Sequence, residues 1–205
     1  MYWFNKYHNN IYSHNPRCLQ EGRSVIKDII IAIVSALWIM LPAYLPNSAA
    51  AAIKGNLPID FGKTTSKGTR ILGDGKTFRG FFGGVICGIL IGCVQIWICN
   101  ALNLTFLPQH TLLSVTVLAT GSLLGDLGAS FFKRRLNMER GQKWLLVDQY
   151  DFLIGAFLLL VIADLSWMIE NITIPTCIVI IIMTPLLHRA VNMIGYKLGF
   201  KDVPW

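Results

Sequence analysis

The chain has 205 residues, of which 54% are hydrophobic and 14% are charged, and its formal net charge is +7. Soluble globular domains carry about 25% charged residues, so this composition excludes an ordinary soluble protein and indicates an integral membrane protein. The length is that of one domain or two small ones.

Five apolar runs follow a polar N-terminal tail, and each is near the length of about 20 residues that a helical span needs. We therefore predict an all-α integral membrane protein with a polar tail over 1–24 and a five-span membrane catalytic domain over 25–205. The tail is expected to be poorly ordered and dispensable for chemistry. The predicted transmembrane helices cover residues 25–45, 81–102, 111–131, 152–169 and 172–188.

The cations of the chain are distributed unevenly between the two ends of these spans. Of the 18 Lys and Arg residues, four lie in or next to the N-terminal tail. The other fourteen lie in the loops after the first and third runs and at the C-terminal end. Because cytoplasmic loops carry the excess of Lys and Arg, we predict two long cytosolic loops, about 46–80 and 132–150, with the C-terminus in the cytosol and the N-terminus outside.

Small residues mark one face of the second run. Gly84, Gly88 and Gly92 are four residues apart and therefore form one helical stripe. Such a stripe lets a neighbouring helix approach closely, so we predict a helix–helix contact there and no catalytic role.

The first long loop ends in a glycine-rich basic segment, residues 73–80. This segment resembles a phosphate-binding loop in composition but does not match the P-loop pattern G-x-x-x-x-G-K-[ST] over its full length. It nevertheless presents Lys76 and Arg79 beside a predicted helix N-terminus, which favours an anion. Lys63 and Arg70 can join this anion site. A solvated basic loop near anionic lipid is the alternative interpretation.

The third run contains a single acid, Asp126, in an otherwise uncharged stretch. A carboxylate at membrane depth costs a few kcal/mol and usually has a function. Lys133, Arg134 and Arg135 follow, and such side chains donate hydrogen bonds to phosphate. The simpler alternatives are a buried ion pair for Asp126 and a topological anchor for the basic trio.

Two further acids, Asp148 and Asp151, precede the fourth run and are three residues apart. On a helix they would share a face and lie at its N-terminal end, where the helix dipole favours negative charge. Helix capping is the alternative role. Together with Asp126, they can converge on a hard cation such as Mg²⁺, which prefers carboxylate, water and phosphate oxygens.

Several strings of the sequence resemble known enzymes. The run GDLGASFFKRRLNMERG with the later DQYD resembles the cytidylyltransferase signature, an S-x-x-K-R element followed by D-x-x-D. The strings PIDFGK, ILGDGKTFRGFFGG and TPLLHRAVNMIGYKLGFKDVPW are more closely similar to those of the CDP-archaeol synthase family of archaea. Two departures are Phe78, where tryptophan is expected, and the segment around Asn47.

The resemblance implies a Mg²⁺-dependent, multi-pass enzyme of the cell membrane whose active site faces the cytosol. It would transfer CMP from CTP to an unsaturated archaeal diether glycerol phosphate and release pyrophosphate; no nucleic acid takes part. The implied catalytic residues are Asp126, Lys133, Asp148 and Asp151, and the implied metal ligands are Asp126, Asp148 and Asp151. The implied CTP-binding residues are Lys63, Gly73, Asp74, Gly75, Lys76, Thr77, Arg79, Ser130, Lys133 and Arg134.

Three other functions stay open from the sequence. A phosphatidate cytidylyltransferase would act on an ester lipid that presents the same phosphate. An ion-coupled transporter would use Asp126 as a midplane ion site. A membrane scaffold would bind no nucleotide at all.

Overall fold

The structure, a computed structural model, describes residues 16–53, 55–66, 68–139, 142–144 and 146–199, with side chains described from Val25 onward. Within these ranges the fold is helical and contains no strand longer than an isolated bridge. The helices are α1 (Pro16–Ile53), α2 (Phe78–Leu102), α3 (Leu112–Arg135), α4 (Val147–Ala163), α5 (Leu165–Asn171) and α6 (Ile174–Lys197).

The first helix begins before the first predicted span. Residues 1–15 lie outside the described part, so the prediction for them is not tested. Residues 16–24 continue the first span as helix, and α1 therefore begins at Pro16, nine residues before the predicted start at Val25. Proline is favoured in the first turn of a helix because the N–H it lacks would have no partner there.

Four described helices are long and apolar enough to cross a membrane: Val25–Ile53 of α1, α2, α3 and α6. The predicted span over 152–169 is not one straight helix, because α4 and α5 meet at a bend of 116°. Taken as one broken span, this pair brings the number of candidate spans to five. The break occurs at Asp164, whose carboxylate accepts a hydrogen bond from the Trp167 N–H (3.3 Å) and so caps a new helix.

Proline residues inside the spans create contacts between helices. Pro42 has no N–H to donate to the carbonyl four residues earlier, that of Trp38. The Gln95 side chain on α2 donates to this carbonyl instead (2.8 Å). In α6, Pro185 frees the carbonyl of Ile181 in the same way, and the Tyr150 hydroxyl on α4 donates to it (2.9 Å). Neighbouring side chains thus satisfy the freed backbone groups, as a membrane interior requires.

The glycine stripe of α2 contacts two neighbouring helices, as predicted. A Cβ on Gly88 would lie 2.7 Å from the Pro42 carbonyl oxygen on α1 and 2.7 Å from Cβ of Ala119 on α3. A Cβ on Gly92 would lie 2.2 Å from the Val115 side chain. The stripe therefore sets the distance at which α2 packs between α1 and α3.

An even closer contact joins α3 to α4. A Cβ on Gly125 would lie 2.1 Å from the carbonyl oxygen of Asp151, and one on Gly155 would lie 2.3 Å from the carbonyl oxygen of Gly121. The two backbones touch at this level, and Asp126 lies one residue beyond Gly125. This contact brings the acid of α3 to the first turns of α4.

The opposite end of the bundle is held by His110, in the turn between α2 and α3. Its ring stacks on Trp167 of α5 (5.3 Å between centroids), and the Trp167 indole donates to the Gln109 carbonyl (2.7 Å). Burial lowers the pKa of His110 to about 4, against the opposing effect of its contact with the Trp38 carbonyl. This histidine is therefore neutral at physiological pH, and its contacts are structural.

Candidate active site

A buried aspartate, Asp60, organises the first loop. Its carboxylate, 0% exposed, accepts hydrogen bonds from the Arg70 guanidinium (2.6 Å to Nη2) and from the backbone N–H groups of Leu72 (2.9 Å), Gly73 (3.0 Å) and Gly62 (3.1 Å). One side chain thus fixes two distant parts of the loop. Asp60 was not predicted from the sequence as a functional residue, although it lies between apolar neighbours in PIDFGK.

The charge of this carboxylate is stabilised in the folded loop. Burial opposes ionisation, but the Arg70 guanidinium and the three backbone donors outweigh it, so the pKa of Asp60 lies well below its ordinary value. The hydrogen bonds that Arg70 donates to Asp60 and Asp74 raise the pKa of Arg70. Asp60 is therefore ionised at physiological pH, and it orders the loop as an anion.

The loop runs back along itself before α2 begins. Antiparallel bridges join Pro58 to Thr77 and Thr64 to Arg70. The buried Thr77 is the N-cap of α2, and its hydroxyl accepts from the Gly80 N–H (3.1 Å) and the Gly55 N–H (3.2 Å). Its hydroxyl oxygen is therefore occupied by capping, although the resemblance assigned Thr77 to the nucleotide site.

Lys76 joins this loop to α3, because its ammonium group forms an ion pair with Asp126. The two side chains are about a quarter exposed, at 25% and 27%. Asp126 thus has a basic partner, as the buried-pair alternative predicted. The same contact also brings the predicted anion site of the loop to the predicted acid of α3.

Arg134, near the end of α3, lies beside the same loop. Its Nε is 3.6 Å from the position of a Cβ on Gly73, and its Nη1 donates to the Met138 carbonyl. The buried Nε has no hydrogen-bond partner among the described residues. An unpartnered buried donor on a cation is costly, so this atom fits a site that an anion completes.

Lys133 and Asp148 form the second ion pair of the site, linking α3 to α4 (2.7 Å). Lys133 also donates to the Gln142 carbonyl (3.0 Å), and Asp148 accepts from the Trp144 N–H (2.9 Å). Asp148 lies in the first turn of α4, where the helix dipole favours its charge.

Asp151 lies one turn further along α4 and completes the acidic group. It interacts electrostatically with Asp126, Lys76 and Asp148. The three acids that the sequence singled out therefore lie together, accompanied by two lysines. Their separation along the chain, from residue 126 to residue 151, is closed by the glycine contact between α3 and α4.

The carboxylate oxygens of this group are donors of the kind that a magnesium site uses. No group of three or more His, Cys, Asp and Glu side chains in the described ranges is arranged to hold a metal ion as it stands. Mg²⁺, however, commonly takes one or two protein carboxylates and completes its shell with water and substrate phosphates. Asp126, Asp148 and Asp151 fit that kind of site by their chemistry.

The other predicted residues lie at the edge of this group. Lys63 and Arg79 are exposed, Arg79 in the first turn of α2. Asp74 is 66% exposed and pairs with Arg70, which places it in the loop scaffold. Gly75 is exposed, and Ser130 is half-buried on α3. Phe78, where tryptophan was expected, packs its ring against Phe61 (5.3 Å between centroids).

Comparisons with known proteins agree on one kind of enzyme. Residues 26–205 match a family model described as "CarS-like: CDP-archaeol synthase". A CDP-archaeol synthase of Methanoculleus marisnigri is 58% identical over 166 residues, which cover 81% of this chain and 100% of that protein. That of Methanospirillum hungatei is also 58% identical over 166 residues, with the same two coverages. That of Methanosarcina acetivorans is 46% identical over 175 residues, again covering 81% of this chain and 100% of the relative.

A solved structure is also similar. It is described as "Structural insight into an intramembrane enzyme for archaeal membrane lipids biosynthesis" and has a TM-score of 0.64 at 31% sequence identity. The match covers 78% of this chain and 94% of the solved one. The fold described above is therefore that of a membrane-embedded enzyme.

Proposed function

The chain belongs to the CDP-archaeol synthase family, and we propose that it transfers CMP from CTP to an unsaturated archaeal diether glycerol phosphate, with Mg²⁺ as cofactor. Family membership makes it a lipid cytidylyltransferase of archaeal membrane lipid biosynthesis, embedded in the membrane by several spans. It also sets aside the transporter and scaffold hypotheses. Beyond the family assignment, we propose the identity of the lipid, the metal ion and the roles of individual residues.

One observation carries it: three carboxylates, two lysines and the unpartnered guanidinium Nε of Arg134 meet where α3 ends, α4 begins and the first loop folds back. A site for phosphoryl groups needs both basic and acidic side chains, because the basic side chains bind the phosphate oxygens while the carboxylates hold a divalent ion.

The proposed reaction is an in-line displacement at phosphorus. An oxygen of the lipid phosphate attacks the α-phosphorus of CTP, a new P–O bond forms, and the bond to the β-phosphate oxygen breaks. Pyrophosphate leaves with that bonding pair of electrons. The attacking oxygen is already anionic, so no strong general base is required, and positioning and charge stabilisation supply the catalysis.

The basic residues bind phosphate in this scheme. Lys76 and Lys133 are held by Asp126 and Asp148, which keeps their ammonium groups at the site before substrate arrives. Arg134 offers its unpartnered Nε beside Gly73. Arg79, exposed at the start of α2, extends the cationic surface toward the triphosphate. Such preorganised donors act on charge that develops during the reaction.

The carboxylates complete the proposal. A bound magnesium ion would neutralise charge on the attacking and leaving oxygens, and Asp126, Asp148 and Asp151 are the residues that would hold it.

The substitution Asp126→Asn tests the metal assignment with little change of shape. We expect CTP-dependent formation of CDP-lipid by the purified enzyme to fall about 100-fold or more, the scale typical of losing one charge-stabilising group. Asp164→Asn is the matched control, because asparagine also caps helices and Asp164 lies at the break between α4 and α5. Near-normal turnover of Asp126→Asn with Mg²⁺ would contradict the assignment.

Substrate identity needs a separate measurement. The purified enzyme is incubated with each of the four nucleoside triphosphates and with either a diether glycerol phosphate or an ester phosphatidate, and the products are identified by mass. We expect CDP-lipid to form from CTP and the diether glycerol phosphate. Equal or faster turnover of phosphatidate would favour the ester-lipid alternative.

A further inference from the structure

An apolar stripe runs along the outer side of α2. Every fourth residue of this stripe is more than half exposed: Phe82, Ile86, Leu90 and Val94. Side chains four apart lie on one side of a helix, and α2 is long and apolar enough to cross a membrane. The stripe therefore contacts lipid chains.

The stripe continues past the start of α2 onto the first loop. Phe78 is the first residue of the helix, one turn before Phe82, and its ring packs against that of Phe61 (5.3 Å between centroids). Its backbone N–H donates to the Leu57 carbonyl (3.1 Å). Leu57 and Phe61 are themselves 55% and 61% exposed. Two apolar side chains of the loop thus extend the lipid-facing surface of α2.

The backbone at Phe61 is arranged to turn this ring outward. Its φ of +50° lies in the left-handed region, which costs a residue with a Cβ about 1–2 kcal/mol and is unusual for a bulky side chain. The preceding Asp60 has a side chain that is 0% exposed. The turn therefore places the carboxylate inside the loop and the ring at its surface. Such strain is found where a particular side-chain direction serves a function.

The end of α3 marks the membrane boundary at the same end of the bundle. The Arg135 guanidinium lies over the Phe131 ring there (4.5 Å to the centroid). Cations near helix ends reach the boundary with their charged heads while their stems cover apolar surface. Because Lys76 of the first loop pairs with Asp126 of α3, the loop lies beside this boundary.

The charge of the loop fits an anionic leaflet. Residues 46–80 include six basic and two acidic side chains, and Lys63, two residues after Phe61, is exposed. Basic residues near an anionic membrane surface are attracted by about 1 kcal/mol each. A stable protein partner would instead bury about 1,200–2,000 Å², far more than two side chains next to a lipid-facing stripe provide.

We propose that Leu57 and Phe61 form a membrane anchor that inserts the first loop between the headgroups and acyl chains of the adjacent leaflet, with the basic residues of the loop against anionic headgroups. The anchor holds Asp60 next to the bilayer, and Asp60 in turn binds the N–H groups of Leu72 and Gly73. This inference goes beyond the proposed function, because it does not depend on which nucleotide or lipid phosphate reacts.

Photolabelling of the unmodified protein tests the anchor directly. A phospholipid with an aryl diazirine close to its headgroup is irradiated with the protein in nanodiscs of phosphatidylglycerol and phosphatidylcholine, and labelled residues are mapped by mass spectrometry. We expect label on Leu57 and Phe61. Phe82, on the lipid-facing stripe, should also be labelled, whereas Asp74, a 66% exposed residue of the same loop, should not. Label on Phe82 with none on Leu57 or Phe61 would overturn the proposal.

The substitution Leu57→Ser tests the anchor by its effect on the loop. We expect hydrogen exchange in residues 55–66 to become about fivefold faster in these nanodiscs, because about half of an apolar side chain loses its contact with lipid. KM for CTP should rise while kcat stays unchanged. On a loop surrounded by water, replacing an exposed leucine changes stability little, so unchanged exchange would contradict the proposal.

The matched control is Leu57→Trp. Tryptophan is favoured at the membrane–water interface, so this variant should keep the slow exchange of the unmodified protein. Exchange as fast as in Leu57→Ser would show that leucine is needed for packing within the loop, and not for contact with lipid. The photolabelling result needs neither variant to fold. If label is absent in a preparation that forms CDP-lipid, the anchor alone is disproved.

The lipid charge gives a further test. Exchange in residues 55–66 of the unmodified protein should be slower in nanodiscs with phosphatidylglycerol than in phosphatidylcholine alone. High salt should reduce the difference, because it screens charges at the membrane surface. Equal exchange in the two kinds of nanodisc at low salt would contradict the contact of the basic residues with anionic headgroups.

Discussion

At the scale of single residues, the first loop depends on one buried anion. Asp60 accepts from a guanidinium and from three backbone N–H groups, and these contacts tie residues 60–62 to residues 70–73. Lys76 and Thr77 follow immediately, one paired with Asp126 and the other capping α2. The position of Lys76, a lysine of the proposed site, is therefore set by an acid that need not touch substrate.

Replacing this acid by its amide should loosen the loop. Asp60→Asn keeps the shape but removes the charge that holds Arg70, so Lys76 would lose its fixed position. We expect KM for CTP to rise about tenfold, and hydrogen exchange in residues 55–77 to become faster. Asp74→Asn is the control for the exchange measurement, because Asp74 also pairs with Arg70 but is exposed. Unchanged exchange in the Asp60 variant would show that the loop does not depend on this carboxylate.

The carboxylate of Asp60 also predicts that the first loop loses its order at low pH. The folded pKa of Asp60 lies below its ordinary value, so its stabilising contribution is present above that value, about 3.9, and is lost as pH falls through the folded pKa. Hydrogen exchange of the loop, corrected for intrinsic rates, should therefore rise below about pH 4 in the unmodified protein. In Asp60→Asn this acid transition should disappear.

At the scale of helices, small residues determine how near the acids of α3 and α4 come. Gly125 and Gly155 leave room for backbone contact, whereas a Cβ on Gly128 would meet nothing within 4 Å. The three glycines are alike in sequence, and only the packing shows that two of them are needed for the site.

Gly125→Ala should therefore separate the two helices at the level of Asp126. We expect a loss of about 1–3 kcal/mol in stability from overpacking and a fall in CDP-lipid formation. Gly128→Ala on the same helix should keep activity and, because alanine favours helix over glycine, keep or raise stability. Thermal unfolding and turnover of both variants give the comparison, and similar behaviour of the two would contradict the packing argument.

Prolines inside the spans make a second set of contacts between helices. Gln95 donates to the Trp38 carbonyl that Pro42 leaves without its usual donor. Gln95→Leu should therefore lower stability by about 0.6–1.7 kcal/mol, the range found for hydrogen bonds between membrane helices. In a Pro42→Ala background the backbone N–H is restored, and the same Gln95 change should cost less. If the Gln95 substitution lowers stability equally in both backgrounds, the Gln95 hydrogen bond does not depend on Pro42.

At the scale of the whole molecule, the chemistry is confined to one end of the helix bundle. The first loop, the end of α3 and the start of α4 all lie there, while the opposite end carries the neutral His110–Trp167 contact. A membrane enzyme that uses a soluble nucleotide and a lipid needs both at one boundary.

The orientation of that end can be measured. In a cysteine-free background, Ser66→Cys in the first loop should react with a membrane-impermeant maleimide from the cytosolic side, and Thr105→Cys in the turn after α2 from the outside; both positions are exposed. The excess of basic residues in the first loop is the physical reason. The reverse labelling pattern would contradict the predicted topology.

The sequence by itself determined the class of the molecule and the chemical character of its site. Length and apolarity of the runs give the helical membrane fold, because a span is a local property of about 20 residues. Asp126, Asp148, Asp151 and the lysines were identifiable because a charge beside an apolar run is costly and therefore conspicuous. The similarity to archaeal lipid enzymes agrees with the motifs.

The tertiary structure alone decided which of these residues meet. The loop order around Asp60, the pairing of Lys76 with Asp126 and the bend at Asp164 depend on contacts or helix ends that no local pattern specifies. Residues of α1 and α6, the first and last spans, line one cavity although they lie over 100 residues apart in the chain. Hydrophobic patterning shows that a helix is buried in a membrane, but the partner on each face is chosen by packing, because lipid and protein interiors are almost equally apolar.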